Sequence, residues 1–207
     1  TWFFAEGTTR AGFEEWLCLS NPGAQEAQVQ VKYMFPDGDG FSQTYAVPAW
    51  RRYSVKVNEV VGEGKDVALE IHSSRPIVAE RPVYFSYRGA WDGGHITMGA
   101  TAASDTWFFA EGTTRAGFEE WLCVLNPGGE EAQVHVDYFF QGEEVQGQDL
   151  AVPPGRRITI PVHEVVGPDK DVAVRITSPR GIIAERAMYF FYHGTWDGGH
   201  DALGMTP

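Results

Sequence analysis

Three short motifs in this chain carry residues that could do chemistry. The first is "WDGGH", at Trp91–His95 and again at Trp196–His200, which sets an aromatic ring, a carboxylate and an imidazole on a glycine-rich segment. Such a histidine could ligate a metal or act as a base. It has no second His or Cys close by in sequence, and His72, His135, His163 and His193 each occur in one copy only. A repeated His on a tight turn more often bonds a carbonyl or a carboxylate, here Glu6 for His95 and Glu111 for His200. The second motif is the pair of glutamates in "FEEW", which with the Glu of "AER" could form the two carboxylates of a glycosidase. Two near-equal copies would then mean two identical active sites, which argues against catalysis. The third is "DGDG", Asp37–Gly40, the one calcium-like fragment. Its ligand spacing is incomplete and the second copy reads Gly142-Glu143-Glu144-Val145, so a hairpin turn explains it better. No G-x-S-x-G elbow, zinc-ligand spacing or phosphate-cradling loop is present. The expectation is a protein with no catalytic residues, no cofactor and no metal, calcium being the one cation left open.

Each copy has one cysteine, Cys18 and Cys123. Equivalent points on consecutive domains lie about 30 Å apart, far beyond the roughly 7 Å that a disulfide spans. They are expected as buried thiols, not paired with each other.

The elements that hold these residues are written twice. Residues 1–18, "TWFFAEGTTRAGFEEWLC", recur unchanged as residues 106–123, and an offset of 105 aligns residues 1–102 with 106–207 without a gap. The chain is a tandem duplication of a unit large enough to bury its own core. We expect repeats over 1–98 and 106–207, with the small polar stretch Gly99–Asp105, "GATAASD", as linker. The chain starts without Met and stops at "GMTP" just short of a third copy, which points to a processed chain or a window on a longer array.

Period-two alternation, β-branched and aromatic residues, and turn signals every 8–12 residues read as strand after strand. In the first copy they fall near 2–5, 14–20, 27–35, 43–47, 52–57, 66–73 and 77–87, separated by "NPG", "PDGDG", "VPAW", "GEGKD" and "SSRP". Seven strands in about 100 residues predict an all-β chain of two tandem antiparallel β-sandwiches of immunoglobulin-like size, a small barrel being the alternative. Strand parity places Glu15 among Phe13, Leu17 and Leu19, and Arg81 among Ile77, Ala79, Val83 and Phe85. A buried charge needs a partner, so the expected ion pairs are Glu15–Arg81 and Glu120–Arg186. A β-bulge that turned Glu80 and Glu185 inward instead is the competing reading.

Charge and hydropathy exclude other classes. The net charge of −12 and pI near 4.8 disfavour nucleic acid, and no apolar run approaches the roughly 20 residues of a membrane span. The doubled basic steps Arg51-Arg52 and Arg156-Arg157 read as solvated strand ends.

"WFFAEGTT", "GFEEWLCLSNPG", "AVPAWRR", "VNEVVG", "PIVAERPVYF" and "GGH" together resemble a tandem repeat of uncharacterised function found in large secreted and cell-wall-associated proteins of Gram-positive-type bacteria. The resemblance covers essentially the whole chain, twice. It implies an extracellular or cell-surface location and a display, spacer or adhesive role, and it brings no catalytic residues with it. Cys on the second strand, and Trp50 where the second copy has Gly155, depart between copies or from that pattern; Trp50 is thus no framework residue.

Two functions follow as expectations. One is a structural repeat that associates head to tail with neighbouring copies as a stalk or filament. The other is a carbohydrate- or surface-binding module, for which the seven Trp are the argument: exposed Trp favours binding a cell-surface glycan, Trp at a junction favours stacking. Since core packing alone does not explain an unchanged loop at Thr8–Ala11, the repeated phrase is expected to span the junction. Trp2 or Trp107, with Thr113, Thr114 and Arg115, would then touch the preceding copy's turn at Trp91 and His95, the equivalents Trp196 and His200 facing a following copy.

Overall fold

The computed structural model describes residues 1–207 as an all-β protein with three antiparallel sheets. In the first repeat the strands are β1 (Trp2–Phe4), β2 (Phe13–Asn21), β3 (Ala27–Met34), β4 (Phe41–Val47), β5 (Arg51–Lys56), β6 (Ala68–Ser73), β7 (Val78–Tyr87) and β8 (Trp91–Met98), with a short helix α1 (Val57–Val61) after β5. They form two four-stranded sheets, β1-β6-β3-β4 and β5-β2-β7-β8. Strand β3 shows why: Ala27, Val29, Val31 and Tyr33 point inward, and Gln28, Gln30 and Lys32 outward. The inward residues of both sheets, among them Phe4, Leu17, Leu19, Leu69, Ile71 and Ala79, share one core.

The second repeat uses β9 (Ser104–Phe109), β10 (Phe118–Asn126), β11 (Ala132–Phe140), β12 (Gln146–Val152), β13 (Arg156–Pro161), α2 (Val162–Val165), β14 (Val172–Tyr192) and β15 (Trp196–Leu203). Here β14 does the work of β6 and β7 together. It pairs with β9 and β11 in its first part and with β10 and β15 in its second, with a register shift between Thr177 and Ile182, so all seven strands count as one sheet. At the same place the first repeat has "SSRP" where the second has "SPRG", and its strand is divided into β6 and β7. No helix is long and apolar enough to cross a membrane.

The turn chemistry is the same in both copies. The Asn21 amide donates to Gln25 O, Val47 O and Pro48 O and its carbonyl accepts from Gly23 N, and Asn126 repeats this with Glu130 O, Val152 O and Gly128 N. That side chain is what "NPG" contributes. Trp50 has φ 58° and Gly155 φ 64°, so the Trp-to-Gly change falls on a left-handed turn position that favours glycine and leaves Trp50 out in solvent.

Three expectations need correction, and one choice between alternatives is decided. "WDGGH" is part of a strand, β8 or β15, and the turn lies before it at Arg88–Ala90. The first repeat therefore has eight strands and the second, with its fused β14, seven, each with a short helix, where seven strands were expected in both. The linker shrinks to Thr101–Ala103, because Ala100 exchanges hydrogen bonds with Phe3, and Ser104 and Asp105 belong to β9. No bulge disturbs the pairing of β2 with β7, so Glu15 and Arg81 do face inward and Glu80 outward.

Candidate functional site

The charged residues converge where the repeats meet. On the inner face of β7, Arg81 is wholly buried, and its guanidinium lies 2.8 Å from Glu6 Oε2, 2.9 Å from Glu185 Oε2 and 2.7 Å from Asp201 Oδ2. Glu6 belongs to the first repeat, Glu185 and Asp201 to the second. Arg81 Nη1 also donates to the Glu6 carbonyl, and Glu185 Oε2 accepts from Glu6 N at 3.0 Å. Asp201 is held in turn by Thr97, whose hydroxyl donates to Oδ2 at 2.5 Å.

Glu6, Glu185 and Asp201 place carboxylate oxygens within 4.8 Å of one another, near enough to grip a cation. The guanidinium already among them supplies that positive charge. Three carboxylates around one arginine leave a buried excess of acid, and burial pushes Glu185 up to about 7 and Asp201 up to about 6 against the pull of Arg81. For Arg81, burial works against the charge, but Glu185, Glu6 and Asp201 outweigh it and hold the group charged. Near neutral pH the cluster is thus part-protonated at Glu185 and keeps an excess of acid over the one guanidinium.

Around this cluster the contact is aromatic. Phe85 and Tyr87 lie on the same inner face as Arg81 and pack with Ala187 and Tyr189 of the second repeat. The Tyr87 and Tyr189 rings stack at 4.3 Å and 5°, and Phe85 meets Tyr189 edge-on at 5.0 Å. Tyr87 Oη donates to Glu119 Oε2 at 2.6 Å. Arg157 Nη1 reaches the Gly7 carbonyl at 2.7 Å, and Phe3, Ala5, Met34 and Ala68 join the buried cluster that holds Cys123 and Leu125. Strands β8 and β15 run side by side, joined by Asp92 N donating to Asp197 Oδ2 at 2.7 Å. The paired glycines are there for clearance: a Cβ on Gly199 would stand 2.8 Å from the Phe85 ring, and one on Gly93 would stand 3.2 Å from Gly198 Cα.

The two surfaces are different, so the junction is directional. The first repeat contributes its open end, made of the inner faces of β7 and β8 and the opening phrase. The second contributes the outer face of β13-β10-β14-β15. Each surface has an unused copy, and burial shows it. Tyr189 is 4% exposed while its equivalent Tyr84 is 55% exposed; Tyr87 is 8% exposed while Tyr192 is 45% exposed. Likewise Glu6, Phe3, Arg157 and Glu185 are buried, whereas Glu111, Phe108, Arg52 and Glu80 are not.

Several expectations change. Glu15 and Glu120 are buried as parity requires, but neither hydrogen-bonds to an arginine: Arg81 pairs as above, and Arg186 pairs with Glu111 at 2.7 Å. The glutamate of "FAEG" takes the role assigned to the glutamate of "FEEW". Without partners, the latter are held as acids by burial, Glu15 well above the usual carboxylate range and Glu120 up to about 8. His95 does not bond Glu6; both ring nitrogens lack partners, and burial lowers it to about 4, so the ring is neutral. His200 stands 3.9 Å from Glu111. Arg157 is a buried junction residue, not a solvated strand end. Both thiols are free, Cys123 buried and Cys18 half-buried.

The opening phrase touches a neighbour in both senses, but not through Trp107 and its loop: Glu119 accepts from Tyr87 and Arg88 of the preceding repeat. Glu6 and Gly7 of the first copy meet the following repeat, whereas Trp107 donates to Ile182 O inside its own repeat, as Trp2 does to Ile77 O. The loop is fixed within each copy. Thr9 donates to Gly62 O and Arg10 pairs with Asp66; Thr114 donates to Gly167 O, and Thr113 and Arg115 engage Asp171. Of the other expected junction residues, Trp91 stacks on Tyr87 and His95 lies 6.5 Å from Tyr189, while Trp196 is exposed beside Tyr192 at the free end.

The sequence matches no protein-family model and no curated protein. Among solved structures, Thermotoga maritima 1070 is 15% identical over 51% of this chain and 96% of its own, with a TM-score of 0.48. The Anabaena sensory rhodopsin transducer is 28% identical over 41% of this chain and 95% of its own, at 0.37. The CBM22-1-CBM22-2 tandem domain of Paenibacillus barcinonensis Xyn10C is 10% identical over 84% of this chain and 73% of its own, at 0.22. With every score below 0.5, these likenesses carry no argument about function.

Proposed function

We propose that this chain is a non-catalytic structural repeat of an extracellular or bacterial cell-surface protein, two β-sandwich domains that stack head to tail as part of a stalk or filament. The observation that carries the reading is the unequal burial of identical residues: the surface Tyr189 buries is bare at Tyr84, and the surface Tyr87 buries is bare at Tyr192. An interface between two unlike surfaces is heterologous: repeats added by the same rule build an open filament unless the rotation between them closes a ring, and the filament is the form we propose. Stability is then roughly a sum of repeat and junction terms, and stiffness comes from the buried Arg81 cluster. A glycan-binding reading has one observation in its favour, the exposed Trp196 near Tyr192, Phe118 and Phe190. The counterpart aromatics Phe13, Phe85, Tyr87 and Trp91 pack against the second repeat, which supports stacking as the use of that surface.

Small-angle X-ray scattering with electron–electron distance measurements between spin labels, one on each repeat, tests the reading. A single narrow inter-repeat distance is expected. A broad distribution from repeats swinging on Thr101–Ala103 overturns it, and selective retention on a glycan array would replace it with the binding reading.

A further inference from the structure

The chain uses one copy of each junction surface and leaves the other free. The free surfaces are the outer face of β5-β2-β7-β8 on the first repeat and the open end of the second. Shifting every junction contact by the 105-residue offset shows what a second chain would meet if it docked there. The Tyr87–Tyr189 stack becomes Tyr192 on Tyr84 of the second chain. The Tyr87–Glu119 bond becomes Tyr192 with Glu14, and the Arg157–Gly7 bond becomes Arg52 with Gly112. Even the outlying Arg156–Asp39 pair at 3.5 Å is matched by Arg51 with Glu144. Donors still face acceptors, and rings still face rings.

Three contacts are altered. Arg88 with Glu119 becomes His193 with Glu14. Both bonds to Asp201, from Arg81 and from Thr97, are lost where Ile96 stands in its place, so that Arg186 faces the carboxylates Glu111 and Glu80 only. Inside the chain the Thr97 hydroxyl donates to Asp201 Oδ2. The shifted positions are Ala202 and Ile96, so a polar pair is replaced by an apolar pair. Ile96 is 63% exposed in the single chain, a large apolar side chain standing on an uncovered sheet face next to Tyr84 and Met98, which are also exposed. Crossed pairings would be poor. Thr97 against Ile96 would strand a hydroxyl and take Asp201 away from Arg81, and Ala202 against Asp201 would remove the hydroxyl that donates to that buried carboxylate.

Resting on the stacking reading above, we infer that the partner of the free end of the second repeat is the first repeat of another copy of this chain, selected by a pairing code of Thr97 with Asp201 within a chain and Ala202 with Ile96 between chains. The code sets the order of the array: first and second repeats alternate, and a first repeat does not dock on the open end of another first repeat.

Sedimentation of the full chain at about 0.15 M salt, from about 5 µM to about 1 mM, tests it, the salt being needed because each chain carries −12. The wild type forms end-to-end species whose size grows with concentration. Tyr84→Arg, at an exposed position, abolishes this growth with its melting curve unchanged. Ala202→Thr weakens it about tenfold, and Ile96→Asp added to Ala202→Thr restores it to within about threefold. A chain that stays single at 1 mM, or associates regardless of Tyr84→Arg, overturns the partner. Association indifferent to Ala202→Thr, or not rescued by Ile96→Asp, overturns the code. The stacking reading fails separately, by a broad distance distribution within one chain.

Discussion

Arg81 and Arg186 occupy the same place in two copies of one fold, and only Arg81 has a following repeat over it. Changing each to Met therefore measures the junction by difference. At Arg81 the substitution removes the counter-charge of Glu6, Glu185 and Asp201, all buried and 2.7–2.9 Å away. Breaking a buried pair in this way costs about 3–5 kcal/mol. At Arg186 the one partner is Glu111, which is exposed, and water solvates what the arginine leaves behind. An exposed pair contributes about 0–1 kcal/mol, and Met keeps most of the packing of the stem. Arg81→Met is thus expected to cost about 2–5 kcal/mol more than Arg186→Met at pH 8. The gap narrows at pH 5.5, where Glu185 and Asp201, raised to about 7 and about 6, take up protons and need less compensation. Urea unfolding followed by circular dichroism and tryptophan fluorescence, with each transition fitted separately, gives both numbers. Equal costs for the two variants would refute the claim that the second repeat seals Arg81.

Two further outcomes follow from the same geometry. Glu120 is raised to about 8 by burial, so the folded chain keeps a proton that the unfolded chain loses above about 4.5; its contribution is fully present below pH 4.5 and is lost as pH rises to about 8. Glu120→Gln should flatten the fall of stability between pH 5 and pH 8, and parallel stability–pH curves for the variant and wild type would contradict this. Gly199→Ala should destabilise by about 1–3 kcal/mol in thermal melts, because its Cβ would meet Met188 O and the Phe85 ring, each at 2.8 Å. Gly94→Ala, at the equivalent place on the uncovered face, meets nothing closer than 3.1 Å and should cost less; the reverse order would deny the close approach of β8 and β15.

The sequence shows the repeat and the strands because both are local or periodic signals. Parity alone turns Glu15 and Arg81 inward, and they are inward. It does not choose the partner of Arg81, because Asp201 lies 120 residues away in the other repeat and Ile96, its counterpart, offers no carboxylate. The glycines of "WDGGH" read as a turn, since glycine usually marks one; in the fold they have ordinary strand conformations and serve to let aromatic rings and a second strand come close. Helix α1 has five residues, too few for a helical period to show. The sense of the junction is hidden for a different reason. Identical phrases at Thr1 and Thr106 cannot say which of them has a neighbour, and Glu6 and Glu111 differ only through what covers them.

Cys18 and Cys123 make the central claim measurable without any mutation. They end the same 18-residue phrase, and Arg52 or Arg157 bonds each sulfur, but Cys123 lies under the first repeat and Cys18 lies on the uncovered face. Burial raises the Cys123 thiol to about 12. The measurement is the rate of thiol alkylation at each site, read by mass spectrometry on the native chain at about 1 µM, dilute enough to keep chains apart. The account predicts that Cys18 reacts at least about 100-fold faster than Cys123 and that urea removes the difference. Equal native rates at two cysteines in identical sequence would mean that the repeats do not dock.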